Sequence, residues 1–169
     1  GVEGGFDLDR AAMGVLAEVF YVFGQVIPGR HGGHADAIGE AIKQGAYIHW
    51  NHPGWKSQQP DGIPRMYDIH YRLIKNKMIH GIEFFNGNEY YPLVMTFCKT
   101  HNLAVIGNSD NHGVISESYR APEYTHRPMT LVFAKERTHD ALKEAMFAGR
   151  TLVYFRDMLA GKEEYAKPF

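Results

Sequence analysis

The stretch GIEFFNGNEYYPLVMTFCKTHNLAVIGNSDNHG, residues 81–113, decides the fold class. Ile82–Phe85 and Leu103–Ile106 are short apolar runs bounded by Gly or Asn, and each reads as a strand. Tyr91–Thr100, between them, has the apolar spacing of a helix. The same rhythm extends outward. Upstream, Ala46–Asn51 is a β-type run. A loop rich in Pro, Gly, Ser and Gln follows, then Met66–Met78 as an amphipathic helix with Met66, Ile69, Leu73 and Ile74 on one face. Downstream, Met129–Phe133 reads as a strand, His139–Ala148 as a helix stopped by Gly149, and Thr151–Phe155 as a last strand. Strands alternating with helices at this spacing predict βα units, a parallel sheet or barrel, and function at the strand C-terminal ends.

The beginning of the chain departs from that rhythm. Phe6–Phe23 reads as a helix, apolar nearly all the way round (Met13, Leu16, Val19, Phe20, Phe23), and so buried or packed on a partner. It is expected to cover an edge or to pair with another copy in a homo-oligomer. Pro28–Gly33 reads as a loop and Ala35–Gln44 as a helix ended by Gly45. The whole chain, 1–169, reads as one domain, with 1–39 an atypical helical segment. A complete eight-stranded α/β barrel takes about 250 residues. With four or five strands, this chain predicts an open α/β sheet or part of a barrel, whose edges need cover.

Composition narrows the function classes. The apolar fraction is 44%, the charged fraction 22% and the formal net charge -1, with both signs mixed along the chain. That pattern argues against global disorder and offers no basic stripe for nucleic acid. Ala11–Ile27 is interrupted by Glu18, Gly24 and Gln25 and is too polar for a membrane span. The chain begins at Gly1; the compartment is cytoplasmic by default, or periplasmic or secreted if an upstream signal was removed. Cys98, the sole cysteine, sits in an apolar helical pattern and reads as a small buried hydrophobe. The anomaly is ten histidines, whose meaning rests on placement.

Three strand ends carry candidate chemistry. His52 stands before Pro53 at the end of the first β-type run, where it either enters a site or caps a turn. In extended backbone Asp110 and His112 share parity, a carboxylate and an imidazole suited to Zn²⁺, Mn²⁺ or Fe²⁺, with Gly107 and Gly113 allowing a close turn around a ligand. The competing reading is a polar loop in which Asp110 caps a helix. Glu83 lies inside an apolar strand, where an unpaired charge is costly. It is expected to meet a cation, a helix N-terminus or a metal, Arg being the favoured partner; with Asn86 and Asn88, which otherwise simply form the turn, it is a candidate for substrate binding. His31 and His34 are further metal candidates from a loop, and His49, His70, His80, His101, His126 and His139 read as packing or surface residues.

Taken in order, Asn51-His52-Pro53-Gly54, Gly81-Ile82-Glu83 with Asn86-Gly87-Asn88, and Gly107-Asn108-Ser109-Asp110-Asn111-His112 resemble the PHP (polymerase and histidinol phosphatase) phosphoesterases. Residues 127–133 and 148–155 resemble that family's closing strands. The resemblance implies a distorted (β/α)7 barrel of parallel strands alternating with helices, of which 40–169 would be the C-terminal part. It implies up to three Zn²⁺, Mn²⁺ or Fe ions activating water against a small phosphoester substrate. His52 matches the histidine of the family's His-Pro motif, and Asp110 and His112 match its Gly-Ser-Asp-x-His pair. The family's His-x-His opening and bridging Glu belong to an N-terminal half, and no His-x-His occurs here. One more ligating histidine precedes the His-Pro motif in relatives, a place that His31 or His34 fills only at shortened spacing. The implied function is metal-dependent phosphoester hydrolysis by a longer parent. The alternatives are a non-catalytic remnant acting as an interaction module and an amidohydrolase-like barrel enzyme.

Overall fold

A computed structural model describes residues 12–14, 21–23, 32–119 and 126–168, those up to residue 36 by their backbone. In chain order the elements are β1 (Ala12–Gly14), β2 (Tyr21–Phe23), α1 (Gly32–Lys43), β3 (Ile48–Trp50), α2 (Asp68–Lys75), β4 (Gly81–Asn86), β5 (Glu89–Tyr90) and α3 (Leu93–His101). They continue with β6 (Ala104–Asn108), α4 (Ile115–Ser118), β7 (Met129–Ala134), α5 (His139–Phe147), β8 (Thr151–Phe155), β9 (Met158–Gly161) and α6 (Glu163–Ala166). Local chemistry marks the helix ends. Asp68 opens α2 and Arg72 and Lys75 close it, matching the helix dipole. The Thr138 hydroxyl accepts the Ala141 N–H at the start of α5. Asn102 ends α3 in the left-handed conformation at φ 53°.

The expected βα rhythm holds in one half of the molecule. β2, β3, β4 and β6 lie parallel in that order, and β5 folds back antiparallel on the C-terminal end of β4. The other sheet, β1-β7-β8-β9, is antiparallel throughout, which corrects the expectation of parallel closing strands. β8 returns antiparallel to β7 although α5 joins them. β9 follows through a two-residue turn, Arg156-Asp157, with both residues at positive φ. That is the hairpin geometry whose twist suits the flanking strands. Without Gly or Asn in the turn the sequence hides it, and β9 was not foreseen. Among the described residues the strands form these two sheets and no closed barrel.

The apolar segment at the start of the chain is a second correction. Ala12–Gly14 and Tyr21–Phe23 are strands and not parts of one helix. Short apolar runs fit either element by periodicity alone, and an all-round apolar pattern with β-prone Tyr, Val and Phe is equally a strand buried on both faces. Each strand covers an edge as expected of the segment: β2 pairs with β3 and β1 with β7.

The two sheets meet at β6. Its side chains alternate between two cores, Val105 with Trp50, Phe84 and Phe155, and Ala104 and Ile106 with Val132 and Met146 under α5. Threonine hydroxyls satisfy backbone groups of β6. Thr130 Oγ1 accepts the Gly107 N–H at 2.9 Å and donates to the Gly107 carbonyl at 3.0 Å, and Thr151 Oγ1 donates to the Val105 carbonyl at 3.0 Å. A Cβ on Gly107 would fall 2.4 Å from Val153 Cγ1. Its missing side chain therefore serves the contact between sheets and not a ligand. Around Gly113 nothing lies within 4 Å of where a Cβ would stand. Cys98 is buried, as expected. No helix among the described residues is long and apolar enough to cross a membrane.

Candidate metal centre

Every residue of β4 is buried, Glu83 completely. The cation expected beside it is replaced by three neutral donors. Glu83 Oε2 accepts the backbone N–H of His52 in a short bond and the Asn86 amide at 3.0 Å, and Oε1 accepts the Asn108 amide at 2.7 Å. Burial pushes the Glu83 carboxyl up to about 7, against the opposing pull of those three bonds, and the charge of Asp110 pushes it the same way as burial. A carboxyl so poised needs no cation to be tolerated. The arrangement also brings Asp110 within electrostatic reach of Glu83.

A bulge makes this cluster. The pairing of β4 with β6 shifts register between Glu83 and Phe85. Regular alternation would turn Glu83 and Asn86 to opposite faces. The extra residue sends Phe84 and Phe85 both into the apolar core and returns Asn86 to the side of Glu83.

His52 lies beyond the end of β3 at φ 28°, a left-handed conformation that costs a residue with a side chain about 1–3 kcal/mol. Regular strand alternation therefore stops at Trp50. Two hydrogen bonds hold the turn, from the His52 N–H to Glu83 and from the Trp55 N–H to the His52 carbonyl at 2.9 Å. The imidazole is half-buried, its centroid 5.2 Å from the Trp55 ring. Its Nδ1 is buried with no hydrogen-bond partner among the described residues. A buried ring nitrogen without a partner is costly unless a ligand meets it.

Asp110 and His112 follow β6 on an exposed loop. Asp110 sits at φ 49°, and His112 Nδ1 lies 2.9 Å from the Asp110 carbonyl. The loop is turned and not extended, so the shared parity expected of the pair does not apply. The competing role of Asp110 as a helix cap is not taken either, since Val114 precedes α4. Asn88, exposed in the turn between β4 and β5, accepts from Arg156 at 3.0 Å. His34 falls in the first turn of α1 with its side chain outside the described ones, and His31 lies outside the described residues.

Sequence reasoning passed over His49 and Asn108. His49 is buried, its Nε2 3.3 Å from the Asn108 amide, and burial lowers its pKa to about 4, so it is neutral near pH 7. The available signal was a second ionisable residue inside an apolar strand. His49, Asn108, Asp110, Arg127 and Thr130 line a cavity of about 270 Å³ by the ends of β3 and β6 and the start of β7. A larger groove of about 670 Å³ lies at the other end of β6, beside Asn102, Leu103 and the start of α6. The smaller one opens where the parallel strands β3 and β6 end, the end at which parallel sheets commonly hold ligands.

The donor types suit a divalent ion: one buried imidazole nitrogen lacks a partner, and a carboxylate stands exposed nearby. Among the described residues, however, no three His, Cys, Asp or Glu side chains gather as a metal-binding group.

No family model and no curated protein matches the chain. Among solved structures, the chain is similar to a two-domain protein from Bacteroides vulgatus ATCC 8482 described as containing a predicted PHP-like metal-dependent phosphoesterase. The identity is 44% and the TM-score 0.75, over 79% of this chain and 39% of that one. The chain thus spans well under half of that protein's length. Its likeness to the PHP-like metal-dependent phosphoesterases, read first in the motifs around His52, Glu83 and Asp110, extends to a solved relative in sequence and in fold.

Proposed function

We propose that this chain contributes to a metal-dependent phosphoesterase of PHP type, hydrolysing a small phosphomonoester or phosphodiester, with His52, Asp110 and His112 as metal ligands. The observation that carries the reading is the junction at the ends of β3, β4 and β6. There the backbone N–H of His52 bonds Glu83, the His52 Nδ1 has no partner among the described residues, and the charge of Asp110 reaches Glu83. A bound divalent ion supplies Lewis acidity to the phosphoryl group and lowers the pKa of a water towards about 7. His52 would offer an imidazole nitrogen, Asp110 a carboxylate, and His112 a second imidazole once its ring leaves the Asp110 carbonyl. Arg127, lining the same cavity as Asp110, would meet phosphoryl oxygens with a planar, permanent cation. Exposed Asn88 would stand on the substrate side, and His31 or His34 would add a further ligand. Zn²⁺, Mn²⁺ and Fe²⁺ all suit this donor set, and a distorted (β/α)7 barrel is the architecture it would belong to.

A non-catalytic interaction module is the second reading, favoured by the absence of a three-ligand group among the described residues. Elemental analysis of the purified chain separates the two. Stoichiometric Zn, Mn or Fe, lost in Asp110→Asn and His52→Ala, supports the phosphoesterase, and a metal-free protein that takes up none on titration rejects it. An aryl phosphodiester assayed beside an amide substrate, both with Mn²⁺, excludes the amidohydrolase alternative if only the ester is cleaved.

A further inference from the structure

The Glu83 carboxyl is completely buried, and both of its oxygens are engaged by donors from three segments: the peptide after β3, the end of β4 and the end of β6. Such a group has no surface left to offer a substrate. What it does have is control over two backbones. The His52 N–H it accepts belongs to a residue held at φ 28°. The Asn108 amide it accepts lies two residues before Asp110, and the Asn108 carbonyl is itself tied to the Gly87 N–H at 2.9 Å. The β4 bulge that brings Asn86 round completes the set. Bulges beside sites commonly re-aim side chains in this way.

We propose that Glu83 is a positioning residue. Its buried carboxyl ties the peptide of His52 to the amide of Asn108 and so sets the spacing between the strand ends that carry His52 and Asp110. It acts through hydrogen-bond acceptance and not as a ligand or through its charge. The role in metal binding rests on the phosphoesterase reading; the tie between the two strand ends does not.

The test compares Glu83→Leu, which keeps the side chain's size and removes both acceptors, with Glu83→Gln, which keeps one neutral acceptor. Two quantities are read on the whole chain: Zn²⁺ affinity by competition with a chromophoric chelator, and amide hydrogen exchange at His52 by NMR. The Ala104 and Phe133 amides, bonded to the His80 and Arg150 carbonyls, serve as internal controls. We expect Glu83→Leu to weaken Zn²⁺ at least tenfold and to speed His52 exchange at least tenfold with the controls unchanged. Glu83→Gln should stay within threefold of the parent on both. Unchanged affinity and exchange in Glu83→Leu overturn the proposal. So does equal damage from Gln and Leu, which would assign the charge itself to the metal. If Glu83→Leu does not fold, Asn108→Ala takes its place, with several-fold weaker Zn²⁺ expected and unchanged affinity overturning the proposal. A parent chain that takes up no Zn²⁺ sinks the phosphoesterase reading, and the His52 exchange rate still decides the role of Glu83.

Discussion

The two sheets use buried polar residues in different ways. In the antiparallel sheet region Arg150 and Thr151 close on neighbouring groups or on the neighbouring sheet, while His126 Nε2, stacked beside Tyr154, has no partner among the described residues. Arg150 Nε donates to the Phe133 carbonyl at 3.0 Å while its guanidinium takes both oxygens of Glu144, and Thr151 donates to β6. In the parallel sheet, His49, Glu83 and Asn86 gather with Asn108 at the C-terminal ends, and His52 Nδ1 beside them has no partner among the described residues. Hydrogen-bonded closure joins the first sheet to the rest of the molecule. The antiparallel sheet braces its neighbour, and the parallel sheet gathers polar side chains at its strand ends.

That division can be broken at the joint. Phe155 of β8 lies in the core of the parallel sheet, 5.3 Å from the Phe85 ring and edge-on to it. Phe155→Ala should cost about 4 kcal/mol in a denaturant titration, the largest effect expected here. A loss below about 1 kcal/mol would mean that the sheets do not share a core.

Acid probes the parallel sheet separately. His70 is buried, stacked on Trp50 at 4.1 Å, and burial lowers its pKa from 6.5 to about 4 although the Tyr67 bond pushes the other way. A depressed folded-state pKa gives stability that is present above pH 6.5 and lost as pH falls through 4. Against a His70→Gln variant, the parent should lose on the order of 2 kcal/mol more between those limits. Parallel stability curves for the two proteins would refute it.

Gly107→Ala sharpens the brace. Its Cβ would meet Val153 at 2.4 Å, and the expected cost is about 2 kcal/mol, recovered in part by Val153→Ala in the same chain. The smallest effect belongs to Thr151→Val, which removes the hydroxyl serving Val105 on β6. About 1 kcal/mol should be lost, with Zn²⁺ affinity unchanged if this sheet only braces. A drop in affinity as large as that of Asp110→Asn would erase the distinction between the sheets.

Most elements from β3 to β8 were legible because each announces itself within a dozen residues; the short β5 and α4 were not read from the sequence. Thr151–Phe155 is a strand with the bounds read from its sequence, and α3 and α5 lie within a residue or two of theirs. The beginning of the chain misread for the same reason, since an apolar run carries no local mark of the partner strand it will find. The antiparallel return of β8 was hidden likewise. A strand, a helix and a strand have the same periodicity whichever way the second strand runs, and only packing against β6 and β7 selects the direction.

From sequence alone came the candidates themselves: His52 before its proline, Asp110 and His112 after an apolar strand, and Glu83 as a charge that had to be answered. Their physics is local, since parity, propensity and the cost of a buried charge need no knowledge of distant residues. What answers Glu83 was decided only by tertiary structure. Two of its three donors come from residues 31 and 25 positions away, and His49 meets Asn108 across 59. A bulge in β4 set which side chains would meet. Periodicity fixes the face on which a side chain stands, whereas the register between strands, which one extra residue can shift, fixes whom it meets.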